Sequence, residues 1–354
     1  QGISRRSVQS ALSGVSYDPS VVRADRAQGV FAQDFLTFAG RMVNNYRLQH
    51  GARNLKKYSD TFARIERQFG VPAEVITSFW ALETDFGANI GKGSTLTSLA
   101  TLAWDCRRPE LFRGELMAAL RIVERGDLAP DQMVGPWAGE MGQTQFLPSH
   151  YDQYGVDFDG DGRRDLLRST PDALASSANL LKAHGWRRGE PWLEEVRLPS
   201  RLPWDQADID IRHPRSQWAA WGVRARDGSA LRNDNLPASL LLPMGRNGPA
   251  FLAYPNFSVY LEWNQSLVYS TTAAYLATRL AGAPRVSEGR GGVSPLSLGE
   301  TKELQRRLAA RGFDVGKVDG IIGAQTRAAV KAVQIQLGLP ADSYPTKELL
   351  AQLR

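Results

Sequence analysis

Residues 71–87 read VPAEVITSFWALETDFG, and this stretch decides the fold of the region around it. Apolar residues recur at helical spacing and predict a helix over 73–86. Pro72 suits the first turn of a helix, because its missing N–H would be unpaired there anyway. Gly87 is a residue type that commonly ends a helix. The stretch therefore predicts one helix with an apolar, core-facing side.

Glu83 lies on the apolar side of this predicted helix, because it follows Phe79 by four residues and Trp80 by three. Asp85 is about 200° further around the helix axis and should point the other way. Burial beside aromatic rings should raise the pKa of the Glu83 carboxyl, which would then hold a proton near neutral pH, as a general acid must. The alternative is a buried glutamate paired with an arginine.

Helical spacing recurs along most of the first 280 residues, whereas residues 190–250 hold many Pro, Trp and Asp residues and short apolar runs. We interpret residues 190–250 as loops with a few strands. The fold class is therefore mainly α (α+β). The other predicted helices of this region are 33–49, 58–69, 95–104, 109–125, 171–186 and 268–280.

The composition is that of a globular chain: 42% of its 354 residues are hydrophobic and 23% are charged. The net charge of +6 suits an anionic partner, but there is no dense Lys/Arg block, which argues against nucleic acid. No apolar run is long enough for a transmembrane helix. Cys106 is the single cysteine, which excludes an intrachain disulfide, and the four histidines show no metal spacing.

Residues 283–295 read APRVSEGRGGVSP, a composition typical of a flexible linker. It follows a large domain, 28–282, which is preceded by an N-terminal extension, 1–27. A small module, 296–354, comes after the linker, which would act as a tether. The module is predicted to contain three helices, at 297–311, 326–337 and 346–353.

Six sequence blocks recur in the order found in one family: ALETDFG (81–87), DCRRPELF (105–112), PWAGEMGQTQFLPSHY (136–151), DFDGDGRRDL (157–166), ANLLKAHGW (178–186) and PNFSVYLEWNQS (255–266). Together they resemble the B-type lytic murein transglycosylases, glycoside hydrolase family 103. This resemblance implies a lysozyme-like helical catalytic core with flanking helical and mixed segments. The C-terminal module resembles the three-helix peptidoglycan-binding domain.

The resemblance also implies a reaction, in which Glu83 matches the catalytic glutamate. This residue would protonate the glycosidic oxygen between N-acetylmuramic acid (MurNAc) and N-acetylglucosamine (GlcNAc), then accept a proton from the MurNAc C6 hydroxyl. That hydroxyl attacks C1 and leaves a 1,6-anhydroMurNAc end. Hydrolytic glycosidases normally use two carboxylates, whereas one suffices when the substrate supplies its own nucleophile. The alternatives are a hydrolytic muramidase and a non-catalytic peptidoglycan-binding scaffold.

The resemblance assigns substrate contacts to six further positions: Arg107, Arg108, Gln145, Asn256, Tyr260 and Asn264. For the arginine pair the alternative is an ion pair with Glu110 or Asp105. For the three residues of the 255–266 block the alternative is core packing.

Pro136 and Glu140 are departures from the family pattern. Pro136 stands where many members have a serine that bonds the catalytic carboxylate. Glu140 stands where a small residue is common. We expect Glu140 to be a solvated loop charge, and the alternative is a second carboxylate that would permit hydrolysis.

An acidic loop (residues 157–172) begins like a calcium-binding loop, with a glycine at the sixth position, Gly162. The usual glutamate at position 12 is replaced by Arg168, and Asp165 is a competing ligand. The resemblance assigns the closing ligand to Asp172, for which the alternative is charge compensation at a helix N-terminus. The predicted metal ligands are Asp157, Asp159, Asp161 and Asp172. We expect structural Ca²⁺, with Na⁺ as an alternative, and no cofactor for catalysis.

The family resemblance finally implies partners and a location. The partners are peptidoglycan glycan strands and peptide stems, without nucleic acid. The location is the periplasm, as a soluble protein whose signal peptide has been removed.

Overall fold

The computed structural model describes residues 2–27 and 33–353. The chain folds as two compact units. The first consists of Gln1–Gly29 and Tyr46–Arg188, and the second of Val30–Asn45 and Gly189–Arg354. The predicted domain start at residue 28 lies outside the described residues.

Helices dominate the described part of the chain, which confirms the mainly α prediction. The helices are α1 Arg5–Leu12, α2 Pro19–Arg26, α3 Phe35–Met42, α4 Asn45–Lys57, α5 Ser59–Phe69, α6 Ala73–Thr84, α7 Thr95–Trp104, α8 Pro109–Arg125, α9 Pro148–Tyr154, α10 Thr170–Ala183, α11 Arg215–Ala220, α12 Pro255–Trp263, α13 Leu267–Leu280, α14 Leu298–Ala310, α15 Ala324–Gln336 and α16 Lys347–Gln352. The strands are β1 Gly93–Ser94, β2 Val134–Gly135, β3 Leu193–Arg197, β4 His213–Pro214, β5 Arg224–Ala225, β6 Pro237–Leu241 and β7 Phe251–Ala253. Every helix among the described residues is too short or too polar to span a bilayer.

Helix α6 is the core helix of the first unit. Residues 75–82 are all buried, because this run is apolar or small on every side of the helix. The helix packs against α5 and α10. It ends at Thr84, two residues before the predicted end, because Asp85 leaves the helix in the left-handed conformation.

Two other helical predictions have different outcomes. The helix predicted over 33–49 is two helices, since α3 ends at Met42 and α4 begins at Asn45. Asp34 caps the first of them through its side chain, which accepts from the Thr37 N–H. Helices α7 and α8 have the predicted bounds, and they pack against each other.

The strand-containing region is an antiparallel five-stranded sheet in the second unit, in the order β4-β6-β7-β3-β5. In its register, Ala253 of β7 lies opposite Leu193 on one side and Ser239 on the other. Trp218, which is fully buried, packs in the sheet's core, and its indole N–H donates to the Ala238 carbonyl at 2.9 Å. The prediction of a few strands between residues 190 and 250 is confirmed.

The C-terminal module has the three predicted helices, α14 to α16, around an apolar core that includes Leu304, Leu308 and Val330. It is fixed to the sheet region of its unit. Lys331 Nζ lies 2.6 Å from an Asp208 carboxylate oxygen, and the Arg327 guanidinium donates to the Leu242 carbonyl at 2.5 Å.

The segment predicted as a flexible tether is also held. The Ser287 N–H and hydroxyl both donate to Glu195, at 2.8 and 2.6 Å. The Arg290 guanidinium donates to the backbone carbonyls of Leu198 and Pro199. The segment therefore makes side-chain bonds that its composition does not reveal, and its role as a tether stays a prediction.

Candidate active site

Glu83 is half-buried in the last turn of α6, next to fully buried Phe79 and Trp80. This placement agrees with the apolar side predicted for it. The effect of that burial on the pKa of Glu83 stays a prediction.

The chain after α6 makes an unusual turn, which we call the Glu83 turn (residues 83–87). Asp85, Phe86 and Gly87 have φ angles of 50°, 64° and 85°. The left-handed region is natural for glycine but costs about 1–2 kcal/mol for other residues. Asp85 is no longer helical, so the predicted helical angle does not apply to it. Its carboxylate pairs with Arg47 of α4 at 2.7 Å.

Thr84 connects this turn to the glycine-rich loop that follows β2. Its side chain is 1% exposed. The hydroxyl donates to the Gln143 carbonyl at 2.5 Å and accepts from the Gly87 N–H at 2.8 Å. The end of α6 and residues 141–146 are thereby bonded together.

The loop 141–146 closes on itself, since Met141 and Phe146 exchange two backbone hydrogen bonds of 2.8 Å. Gln145 lies within it at a left-handed φ of 54°. Its side-chain amide donates to the Gly142 carbonyl at 2.9 Å and to the Ile90 carbonyl at 3.4 Å. The structure therefore brings Gln145 to the segment that follows the Glu83 turn.

The arginine pair is anchored by a residue that sequence reasoning missed. Asp25 of α2 is buried, and its carboxylate lies 2.7 Å from Arg107 Nη1 and also bonds Arg108. Burial opposes the ionisation of Asp25, but the hydrogen bonds from both arginines outweigh it and hold the pKa of this carboxyl below its ordinary value. The expected partners Glu110 and Asp105 pair instead with other arginines. No sequence pattern marks Asp25 for this role.

Glu140 is half-buried, so the expectation of a solvated loop charge is wrong. Desolvation is the main influence and raises the pKa of its carboxyl, and repulsion from Glu115 adds to this rise. A hydrogen bond with its own backbone and the charge of Arg108 partly offset it. The backbone is tightly packed at this position, since Gly135 lies so close to the Glu140 carbonyl that a Cβ on residue 135 would clash. The loop thus turns inward at a position where its sequence looks exposed.

The three residues of the 255–266 block belong to the second unit, whereas Glu83, the arginine pair and Gln145 belong to the first. Asn256 and Tyr260 on α12 are fully buried, and the Asn256 amide donates to the Glu190 carbonyl at 2.8 Å. Asn264 follows the end of α12, and its side-chain oxygen accepts from the Ser266 N–H at 2.9 Å. Their roles in substrate binding stay predictions.

The acidic loop brings three of its four predicted ligands together. Carboxylate oxygens of Asp157, Asp159 and Asp172 lie within 4.8 Å of one another. Ca²⁺ binds oxygens at 2.3–2.6 Å, so ligands of one ion can be up to about 5 Å apart. The three carboxylates therefore fit a calcium ion. Asp161 is outside this group, and its carboxylate accepts from the Arg163 N–H.

Asp172 is the fully buried member of the group. Its carboxylate accepts from three backbone N–H groups, of Phe158 at 2.8 Å, Asp165 at 2.9 Å and Asp159 at 3.3 Å. Burial nonetheless raises the pKa of this carboxyl. Asp165, the competing ligand, instead pairs with Arg168 at 2.7 Å. Asp172 is thus bonded to the backbone of the acidic loop, and its role as the closing ligand, which the resemblance assigns, stays a prediction.

Comparison with known proteins covers nearly the whole chain. The family model described as transglycosylase SLT domain matches residues 1–278, and a peptidoglycan binding domain model matches residues 297–353. The membrane-bound lytic murein transglycosylase B of Escherichia coli (strain K12) is 32% identical over 248 residues, 70% of this chain and 67% of that protein.

Solved structures give the same picture. SltB3 from Pseudomonas aeruginosa, in complex with NAG-anhNAM-pentapeptide, is 43% identical with a TM-score of 0.92, covering 100% of this chain and 95% of that one. Escherichia coli Slt35, in complex with calcium, is 32% identical with a TM-score of 0.67, covering 79% and 88%. The resemblance seen in the sequence is confirmed: the chain belongs to the SLT-domain lytic transglycosylases and is an enzyme that cleaves peptidoglycan.

Proposed function

We propose that this enzyme cleaves the β-1,4 bond between MurNAc and GlcNAc without water, with Glu83 as general acid and then general base. The observation that carries the proposal is the position of Glu83, half-buried at the end of a core helix and followed by a left-handed turn. Strained backbone of this kind concentrates at functional sites. The anhydro sugar bound by the Pseudomonas relative is the product type that such a reaction gives.

One carboxyl group is enough for both proton transfers of the proposed reaction. The protonated Glu83 carboxyl donates its proton to the glycosidic oxygen while the bond from that oxygen to MurNAc C1 breaks. The carboxylate then accepts the proton of the C6 hydroxyl while the C6 oxygen bonds to C1. Glu83 is regenerated as the acid, and no water is consumed. Because the nucleophile belongs to the same sugar, its effective concentration is high.

Each unit carries candidate substrate-binding residues. Arg107 and Arg108 are pre-oriented by Asp25, and their side chains keep exposed fractions of 43% and 36%, so they can still bond anionic peptide stems or sugar oxygens. The Gln145 amide would bond sugar or N-acetyl oxygens. From the second unit, the candidates are Asn256, Tyr260 and Asn264.

We propose a structural calcium ion for the acidic loop, held by Asp157, Asp159 and Asp172, with Asp161 as a further candidate ligand. The calcium-bound Escherichia coli relative supports this assignment. Calcium would neutralise carboxylates that otherwise repel one another, and it would brace the start of α10.

The proposed location is the periplasm, where peptidoglycan is found, with the C-terminal module binding the same polymer. The substrates and partners are then glycan strands with their peptide stems.

The test is the product of digestion. Isolated sacculi are treated with the protein, and the released muropeptides are weighed by mass spectrometry. We expect sugar ends that are one water lighter than reducing ends. Reducing ends alone would contradict the proposal and establish a hydrolytic muramidase. Absence of any release by folded protein would favour the scaffold alternative.

A further inference from the structure

Helix α4 contacts the Glu83 turn through an ion pair. Arg47 Nε lies 2.7 Å from an Asp85 carboxylate oxygen. The two side chains are only 11% and 29% exposed, so water screens this pair less than an ordinary surface ion pair. Asn89 adds a weaker bond to the other oxygen at 3.3 Å.

A second residue of α4 contacts the next position of the turn. The His50 ring stacks on the Phe86 ring, with centroids 6.3 Å apart and planes 22° apart. Phe86 also meets the Trp80 ring edge-on at 5.3 Å. Arg47 and His50 are three residues apart, so they lie on one face of α4. We call these two residues the α4 clasp.

The α4 clasp contacts the two residues of the turn whose backbone is strained. Asp85 and Phe86 are the non-glycine residues with left-handed backbone in this turn, each at a cost of about 1–2 kcal/mol. Backbone bonds help, since the Phe86 N–H donates to the Trp80 carbonyl at 3.1 Å. An aspartate tolerates this conformation better than most residues. Its carboxylate is also the group with which α4 forms the ion pair.

We propose that Arg47 and Asp85 are positioning residues for the transglycosylase reaction, with their ion pair fixing the left-handed turn that directs the Glu83 carboxyl. Arg47 acts through Asp85 and touches no reacting atom. The inference rests on the proposed role of Glu83. Small displacements of a catalytic group lower the rate of the chemical step more than they weaken substrate binding.

The test is a double-mutant cycle with Asp85→Asn, Arg47→Met and the double variant. Anhydro product release is measured on a defined glycan oligomer with peptide stems. We expect each single variant to lose roughly tenfold to hundredfold in kcat, with KM within about threefold of the parent. The double variant should be no slower than the slower single variant, because both changes break one pair. Any other contact of Arg47 is lost whether or not the Asp85 carboxylate is present, so its effect cancels in the coupling energy between the two residues.

Two further variants separate positioning from folding. Lys56→Gln changes an exposed residue of α4 and should keep the parent kcat. Asp85→Gly permits the left-handed backbone but removes the carboxylate, so it should be as slow as Asp85→Asn. A purely structural role would lower Tm and leave the kcat of the folded fraction unchanged.

The proposal is overturned if Asp85→Asn and Asp85→Gly keep the parent kcat, or if the two single effects multiply in the double variant. This failure is distinguishable from failure of the proposed function. If only the positioning role fails, Glu83→Gln is still inactive. If the proposed function fails, Glu83→Gln retains turnover.

Discussion

The Glu83 turn and the acidic loop solve the same geometric problem in different ways. Both need left-handed backbone next to an acidic side chain. The acidic loop places glycines there, Gly160 and Gly162, and a Cβ at either position would meet nothing within 4 Å. The Glu83 turn instead uses Asp85 and Phe86, which are held by α4 and by Trp80. Strain that tertiary contacts help to hold thus lies next to the proposed catalytic residue.

The way in which each region is held in shape indicates its role. A metal loop of glycines and carboxylates is shaped locally, and the ion would complete it. A catalytic carboxyl must keep one orientation without a ligand, so rigid packing has to supply it. Variants that remove a packed contact should therefore harm activity at the Glu83 turn and stability at the acidic loop.

The largest effect among these variants is expected from Gln145→Ala, in the loop bonded to the Glu83 turn. The change removes the amide that bonds the Gly142 and Ile90 carbonyls, as well as the proposed bond to the sugar. We expect kcat/KM to fall roughly 30-fold, a loss of about 2 kcal/mol of the kind that a charged or buried hydrogen bond supplies. The matched control is Gln153→Ala, on the exposed side of α9. Equal activity of the two variants would show that Gln145 has no role in substrate binding.

Asp172→Asn should mainly affect stability. An amide cannot accept from all three backbone N–H groups that the carboxylate serves, and it lacks the charge that calcium needs. We expect Tm to fall by roughly 5 °C, and added Ca²⁺ should no longer raise it. Asp161→Asn, outside the three-carboxylate group, should keep most of the response to Ca²⁺. An undiminished response in Asp172→Asn would refute its assignment as a ligand.

Gly162→Ala tests the claim that glycines give the acidic loop its local shape. Its φ of 89° is strained for alanine, while the space around the new methyl group is open. The cost should be about 1 kcal/mol, or roughly 2–4 °C in Tm. Parent-like stability in calorimetry would mean that the loop adapts without strain.

Glu140→Gln should give the smallest effect, and it should raise the stability of the fold instead of lowering it. Because burial raises the pKa of this carboxyl, ionised Glu140 destabilises the fold at neutral pH. Its favourable contribution is present below the unfolded pKa, near 4.5, and is lost as pH rises through the folded pKa. We expect the variant to melt roughly 2 °C higher than the parent at pH 7, with the gap closing near pH 4. A gap that widens on acidification would contradict this sign.

The sequence predicts regular elements and local loops better than tertiary contacts. Helices α7 and α8 have the expected bounds, because capping residues and apolar periodicity are local signals. Of the three aspartates that the loop pattern marks, Asp157 and Asp159 come together, with Asp172, which the family resemblance adds, as the third member of the group.

Contacts between distant elements were beyond such reasoning. Asp25 reaches the arginine pair across about 80 residues, and Arg47 meets Asp85 across 38. Neither partner has a local pattern that reveals it, and the strain at Asp85 is visible only in the backbone angles. For the same reason Ser287 and Arg290 fasten a segment that reads as a free linker.

The most direct test of the proposed chemistry is Glu83→Gln, an isosteric change that removes the transferable proton. Its matched control is Glu74→Gln in the first turn of the same helix. Anhydro product release and sacculus binding are measured for both variants. We predict that Glu83→Gln loses at least about a thousandfold in turnover while still binding sacculi, and that Glu74→Gln stays near the parent. Retained turnover in folded Glu83→Gln would contradict the account.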